Sequence, residues 1–282
     1  MTTYRAETRP RSSVREVEHP PELADATTPH RDGMAAHPAP LHLERAARAV
    51  DRRERSASKN PLVVVVVAYV AMAAALLAVG AVIVHTPLGD PIRSWDETLS
   101  RNVSIGRTSG WSDYSELGTS GANTVPVVGA MVVVTLVLAA LRRWRDMLLL
   151  PLGLGLELST FLTVNYLVGR ERPDVAQLGG EPGTNSFPSG HVAATFVLFG
   201  GVALLLGIWR WRVPWRILGW IVVAVGPLSV AFSRVYRGMH YTTDVLAGLT
   251  LGAMALAAAA LATRSSWLGA HRDGPGASEG GR

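Results

Sequence analysis

The sequence predicts an all-α integral membrane protein, a six-helix bundle with both termini in the cytoplasm. Two observations carry this reading. Nearly half of the 282 residues are apolar, and they fall in blocks of about 20, the length that crosses a hydrocarbon core. Arginines gather in alternate connections between those blocks, which sets an orientation.

Residues 1–60 are polar, charged and Pro-rich, and read as a disordered tail that buries too little apolar surface to order itself. Its last part, from Leu41 to Ser56, has the pattern of a basic helix near anionic headgroups. The first apolar block begins only at Pro61, which argues against a cleavable signal peptide. Six spans follow within a membrane domain at 61–263, at about 62–84, 123–141, 147–168, 191–209, 214–233 and 243–263. Residues 264–282 are Gly-rich and expected to be disordered.

Arg45, Arg48, Arg52, Arg53, Arg55 and Lys59 flank the first span. Arg142, Arg143 and Arg145 follow the second, Arg210, Arg212 and Arg216 follow the fourth, and Arg264 and Arg272 follow the last. With six spans these regions share one side, and an excess of arginine marks that side as cytoplasmic. Loops 85–122, 169–190 and 234–242 then face outward. The formal net charge of +5 belongs to this orienting pattern. No aromatic and basic module for nucleic acid accompanies it. Cysteine is absent, which excludes disulfides and thiolate chemistry.

Trp95, Trp111 and Tyr114 give the first outer loop the look of an amphipathic element on the membrane surface. Gly248 and Gly252 form a GxxxG pair in the last span, which suits close helix packing within the chain before it suits a dimer face. Glu157 stands inside the third span, where a carboxyl group is costly and a functional role is the default. An arginine from the outer face or a neighbouring helix would be its partner.

The outer loops hold the chemistry. A single arginine at a span end snorkels to headgroups, and a lone histidine is often an interfacial anchor. Here Arg170, Arg172, Arg234 and Arg237, with His191 and His240, all fall on the side that should be poor in charge. Arginine presents a planar fork of donors that fits phosphate oxygens. Pro188-Ser189-Gly190 precedes an apolar run, so Ser189 is placed to cap a helix beginning near His191. The N–H groups of that helix would face an anion, and Gly190 lets backbone approach it. His240 and Asp244 share a helical face at i,i+4, so the carboxylate can hold one ring nitrogen protonated and leave the other a lone pair. With His191 as the acid, these groups compose a phosphoryl-transfer site. Zinc on the same residues is disfavoured by the surrounding arginines.

At these positions the sequence resembles the type-2 phosphatidic acid phosphatase superfamily, which includes undecaprenyl-diphosphate phosphatases and vanadium haloperoxidases. The family's three blocks are Lys-x6-Arg-Pro, Pro-Ser-Gly-His and Ser-Arg-x5-His-x3-Asp. The second falls at Pro188 to His191 and the third at Ser233, Arg234, His240 and Asp244, while Arg172-Pro173 meets only the end of the first. The resemblance implies a nucleophilic His240 oriented by Asp244, with His191 as the leaving-group acid. It also implies phosphate contacts from Arg172, Ser189, Gly190 and Arg234, without cofactor or metal. The family lysine falls on Asn165, which carries no charge, and Arg170 is the residue expected to compensate.

The implied activity is hydrolysis of a long-chain lipid phosphate at the outer leaflet of the cell membrane. A polyprenyl diphosphate is the first expectation, followed by phosphatidic acid and phosphatidylglycerol phosphate. The partners are the lipid substrate and membrane lipids, with no nucleic acid. Three other readings share these residues: a phosphotransferase, a haloperoxidase, and a lipid-binding or transport protein without catalysis.

Overall fold

The computed structural model describes residues 60–179, 183–207 and 212–270, with side chains through 263. The expected N-terminal tail and the chain beyond 270 lie outside these residues. Among the described residues every regular element is helical. In chain order they are α1 (Pro61–His85), α2 (Asp90–Ile105), α3 (Ser109–Gly121), α4 (Thr124–Ala140), α5 (Leu149–Val168), α6 (Gly190–Leu206), α7 (Val213–Tyr236) and α8 (Thr242–Ala270).

All six expected apolar blocks are helices, but they are unequal. Pro61–His85, Asp146–Val168, Val213–Tyr236 and Thr242–Thr263 are long and apolar enough to cross a membrane. A fifth crossing results if α3 and α4, bent by 49° at their junction, count together. The helix α6 has 17 residues, because Gly207 leaves the helical region at φ 62° and closes the last turn. The architecture is that of a multi-pass membrane protein. Apolar side chains on α1 point outward, with Leu62, Val66, Val67 and Val70 all exposed, as expected of a helix that faces lipid. Its start is set by Pro61 at the first helical position and by Asn60, whose Oδ1 accepts from the Leu62 N–H at 2.9 Å.

The connection 85–122 departs from the expected surface-lying element. Its two helices are part of the packed structure: α2 buries a polar face of Asp96 and Ser100, and α3 packs on α7. Trp111 and Tyr114 of α3 lie against Phe232 of α7, with centroids 5.3 and 6.0 Å away.

The last helix is the post of the bundle. α8 packs against α1, α5 and α6, and Leu251, Ala255 and Ala259 on it are fully buried. Gly248 and Gly252 serve this packing within the chain. A Cβ on Gly248 would stand 2.4 Å from the Ser189 carbonyl oxygen, and one on Gly252 2.7 Å from that of Ala193. The small residues thus let α8 touch the backbone at the start of α6, and the N-terminal ends of both helices meet. Gly248→Ala is therefore expected to cost roughly 1–3 kcal/mol and to lower the melting temperature of the purified protein. Gly129→Ala on α4, where an added Cβ meets nothing within 4 Å, should leave it unchanged.

Candidate functional site

The described parts of the connections, 169–179, 183–190 and 237–241, lie over one end of the bundle, and their shape is set by polar contacts made to backbone. The helix α5 stops at Gly169, in the left-handed region at φ 64°. One turn earlier, Asn165 faces the returning loop. Its Nδ2 donates to the carbonyls of Asn185 (2.8 Å) and Phe187 (3.1 Å), and its Oδ1 accepts from the Asn185 N–H (3.1 Å). Asn185 answers by donating from Nδ2 to the Asn165 carbonyl at 2.9 Å. The side chain expected to stand in for a phosphate-binding lysine is thus engaged in clamping residues 185–187.

Arg170 has a different place from the expected one as well. Its Nη1 donates to Asp244 Oδ1 at 2.6 Å and its Nη2 to Asp96 Oδ2 at 2.8 Å, with all three groups buried. The guanidinium also lies over the Tyr241 ring, 4.2 Å from its centroid. Both carboxylates double as caps for α8. Asp244 Oδ2 accepts from the Tyr241 N–H at 2.9 Å and Asp96 Oδ1 from the Thr243 N–H at 3.2 Å, satisfying donors that a helix start leaves open. Arg170 is therefore held between two carboxylates, which leaves Arg172 and Arg234 as the cations of the cavity.

This network holds His240. The ring's Nδ1 lies 2.7 Å from the Ser186 carbonyl oxygen. A carbonyl only accepts, so Nδ1 carries the proton and Nε2 the lone pair. The sequence pattern assigned that orienting bond to Asp244, whose Oδ2 instead stands 3.8 Å from Nδ1. That oxygen accepts from the Ser186 hydroxyl and the Tyr241 amide. Asp244 thus fixes the loop that fixes the ring, and its charge lies close to the imidazole.

His240 lines a cavity of about 490 Å³ with His191, Arg172, Arg234, Thr184 and Gly190 at its polar end. Arg172 donates from Nε to the Thr184 carbonyl at 3.0 Å and from Nη1 to that of Met239. Arg234 is buried, and its Nε has no hydrogen-bond partner. Among the described residues neither arginine forms a salt bridge with a carboxylate. Ser189 occupies the N-cap position of α6 but makes no capping bond from its side chain. Its Oγ is buried without a partner, while its N–H donates to the Asp244 carbonyl at 3.0 Å. The first N–H groups of α6 are accordingly uncapped by a side chain, the arrangement that suits an anion. Away from this end the walls are apolar, built from Val127, Met131, Leu154, Leu158 and Phe161 of α4 and α5.

Of the predicted site residues, Arg172, Gly190, His191, Arg234 and His240 share the cavity, whereas Asn165, Arg170, Ser189 and Asp244 are not among its lining residues. The sequence reading missed Asp96. Its only signal is that Asp96 and Ser100 lie four apart on an amphipathic helix, and nothing in the sequence separates Asp96 from the adjacent Glu97. Arg237 is a support: its Nε donates to the Leu178 carbonyl at 2.8 Å.

Fold and site together are those of a multi-pass membrane protein, and the model of the PAP2 superfamily matches its residues 148–267. Similar proteins follow the same lines. The undecaprenyl-diphosphatase of Sulfolobus acidocaldarius is 40% identical over 72 residues, which are 26% of this chain and 31% of that protein. The match thus spans about a third of that relative's length. Phosphatidylglycerophosphatase B of Bacillus subtilis is 29% identical over 175 residues, 60% of this chain and 82% of that protein. The crystal structure of a transmembrane PAP2-type phosphatidylglycerolphosphate phosphatase from Bacillus subtilis has the same fold. Its TM-score is 0.55 at 24% identity, covering 77% of this chain and 98% of that one.

Asp96→Asn leaves Arg170 with one carboxylate and should destabilise the protein by about 3 kcal/mol, the scale for breaking a buried pair. A melting temperature equal to that of the unaltered protein would show that the network is not needed.

Proposed function

We propose that the chain is a phosphatase of long-chain lipid phosphates, acting on a monoester or diphosphate at the outer leaflet through a phosphohistidine. The observation that carries this reading is the cavity itself. Two arginines without carboxylate partners among the described residues, Arg234 buried and Arg172 half-buried, and two histidines stand at one end, and an apolar arm between α4 and α5 extends from it. A phosphate suits the first and a lipid chain the second. Along α5 the arm reaches from Phe161 to Pro151, about 15 Å of helix.

In the proposed reaction Nε2 of His240 attacks phosphorus while Arg172 and Arg234 hold the equatorial oxygens. The bond from phosphorus to the leaving oxygen breaks, and His191 gives that oxygen a proton. The phosphorylated ring is positive, and the nearby Asp244 carboxylate balances it. Water, giving a proton to His191, then attacks phosphorus, and the bond to Nε2 breaks to release phosphate and restore both histidines. The arginine clusters support a six-span arrangement with cytoplasmic termini, in which this end of the bundle would face outside.

Detergent-purified protein should release phosphate from a lipid phosphate with a chelator present, and His240→Ala should lower turnover by roughly 10³-fold or more. Unimpaired turnover in that variant, or turnover only with added metal, would overturn the reading. The acid side of the pH profile supplies a second check. Burial is the largest influence on His240 and holds the ring below its ordinary 6.5; Asp244 opposes this, and the Arg234 charge reinforces burial. The free ring is therefore neutral through the neutral range, and kcat/KM should lose its His240-dependent part only below about pH 6.5. A limb centred above that value would mean that the ring is not the base.

A further inference from the structure

Among the described residues Glu157 is the one acidic residue that lines the cavity, and neither partner expected for it is found. It is 3% exposed, and its Oε1 is buried without a hydrogen-bond partner. Among the described residues no arginine forms an ion pair with it. Nor does it belong to the phosphate end. On α5 it lies one turn deeper than Phe161, about 6 Å along the axis. Phe161 itself borders Gly190, where an added Cβ would meet the ring at 3.1 Å. A lipid with its phosphate at Arg172 and Arg234 passes Phe161 first and Glu157 next.

The surroundings set what Glu157 can bind. A charged carboxylate without a cation is costly in an apolar wall within a membrane. The group therefore works as a carboxylic acid, with an O–H to donate and a carbonyl oxygen to accept. We propose that Glu157 is a selectivity residue, which donates a hydrogen bond to an acceptor oxygen in the lipid just beyond its phosphate. Ester carbonyls on a glycerol backbone stand at this depth, whereas a polyprenyl chain offers only hydrocarbon and leaves the buried carboxyl unsatisfied. This rests on the lipid phosphatase reading above, and it moves the preferred substrate from polyprenyl phosphates to diacylglycerol phosphates.

The test is kcat/KM for phosphate release by the full-length protein in detergent. The three probes are dioleoyl phosphatidic acid, its ether-linked analogue without ester carbonyls, and farnesyl phosphate. The unaltered protein should favour the ester over the ether lipid by about tenfold, the scale of one well-made hydrogen bond, and over farnesyl phosphate as well. Glu157→Leu should bring the ester-to-ether ratio near one, and Glu157→Gln, which keeps a donor, should preserve most of it. An equal loss on both lipids with the ratio intact would mean that Glu157 only supports the helix, and would overturn the proposal. So would an unaltered protein that does not distinguish ester from ether, a measurement that needs no variant. Failure to release phosphate from any of the three, and from farnesyl diphosphate as well, would instead overturn the phosphatase reading beneath it.

Discussion

The buried pairing of Arg170 with Asp96 and Asp244 is the interaction on which the rest of the site end of the bundle depends. Three charged side chains out of water would be costly alone, and their mutual geometry makes them tolerable. The two carboxylates sit at opposite sides of one guanidinium, at 2.8 and 2.6 Å. Each also accepts a backbone N–H at the start of α8. One cluster therefore joins α2, the end of α5 and the beginning of α8, which are far apart in the chain. Because Asp244 also receives the Ser186 hydroxyl, the loop whose carbonyl holds His240 is tied to the same cluster.

A division of labour among the arginines follows. Those that meet carboxylates or loop carbonyls shape the site, and those without a carboxylate shape its electrostatics. Arg170 and Arg237 are of the first kind. Arg234, buried and with an unpartnered Nε, is of the second. Arg172 belongs to both, since it ties Thr184 to Met239 and still borders the cavity. The same economy appears at Asn165, where a lysine would bring charge and the amide brings three hydrogen bonds between α5 and the loop.

The helices were legible because membrane spans announce themselves by length and hydropathy, and all six apolar blocks are helices here. The bend between α3 and α4 and the early end of α6 were not, since both depend on local backbone that hydropathy does not sense. At the site, the histidines and the cavity-lining arginines stood out because charge at a lipid boundary is conspicuous. The partners of those residues did not. The i,i+4 spacing of His240 and Asp244 correctly brings them near, yet a backbone carbonyl from residue 186 takes the hydrogen bond. Such a contact has no side-chain signature. Asp96 was hidden for a related reason: its partner lies 74 positions away, and distance in the chain conceals pairing between a helix and a remote loop.

The two-ended cavity also bears on where products go. In the proposed reaction the freed phosphate leaves through the polar end, toward water, while the dephosphorylated lipid remains with its chain in the apolar arm and drifts back into the bilayer. Two products that partition into different phases seldom meet again at the same site. The shape of the cavity would thus favour one direction of turnover, and the rate would follow the surface density of the lipid in its leaflet as much as any concentration in solution.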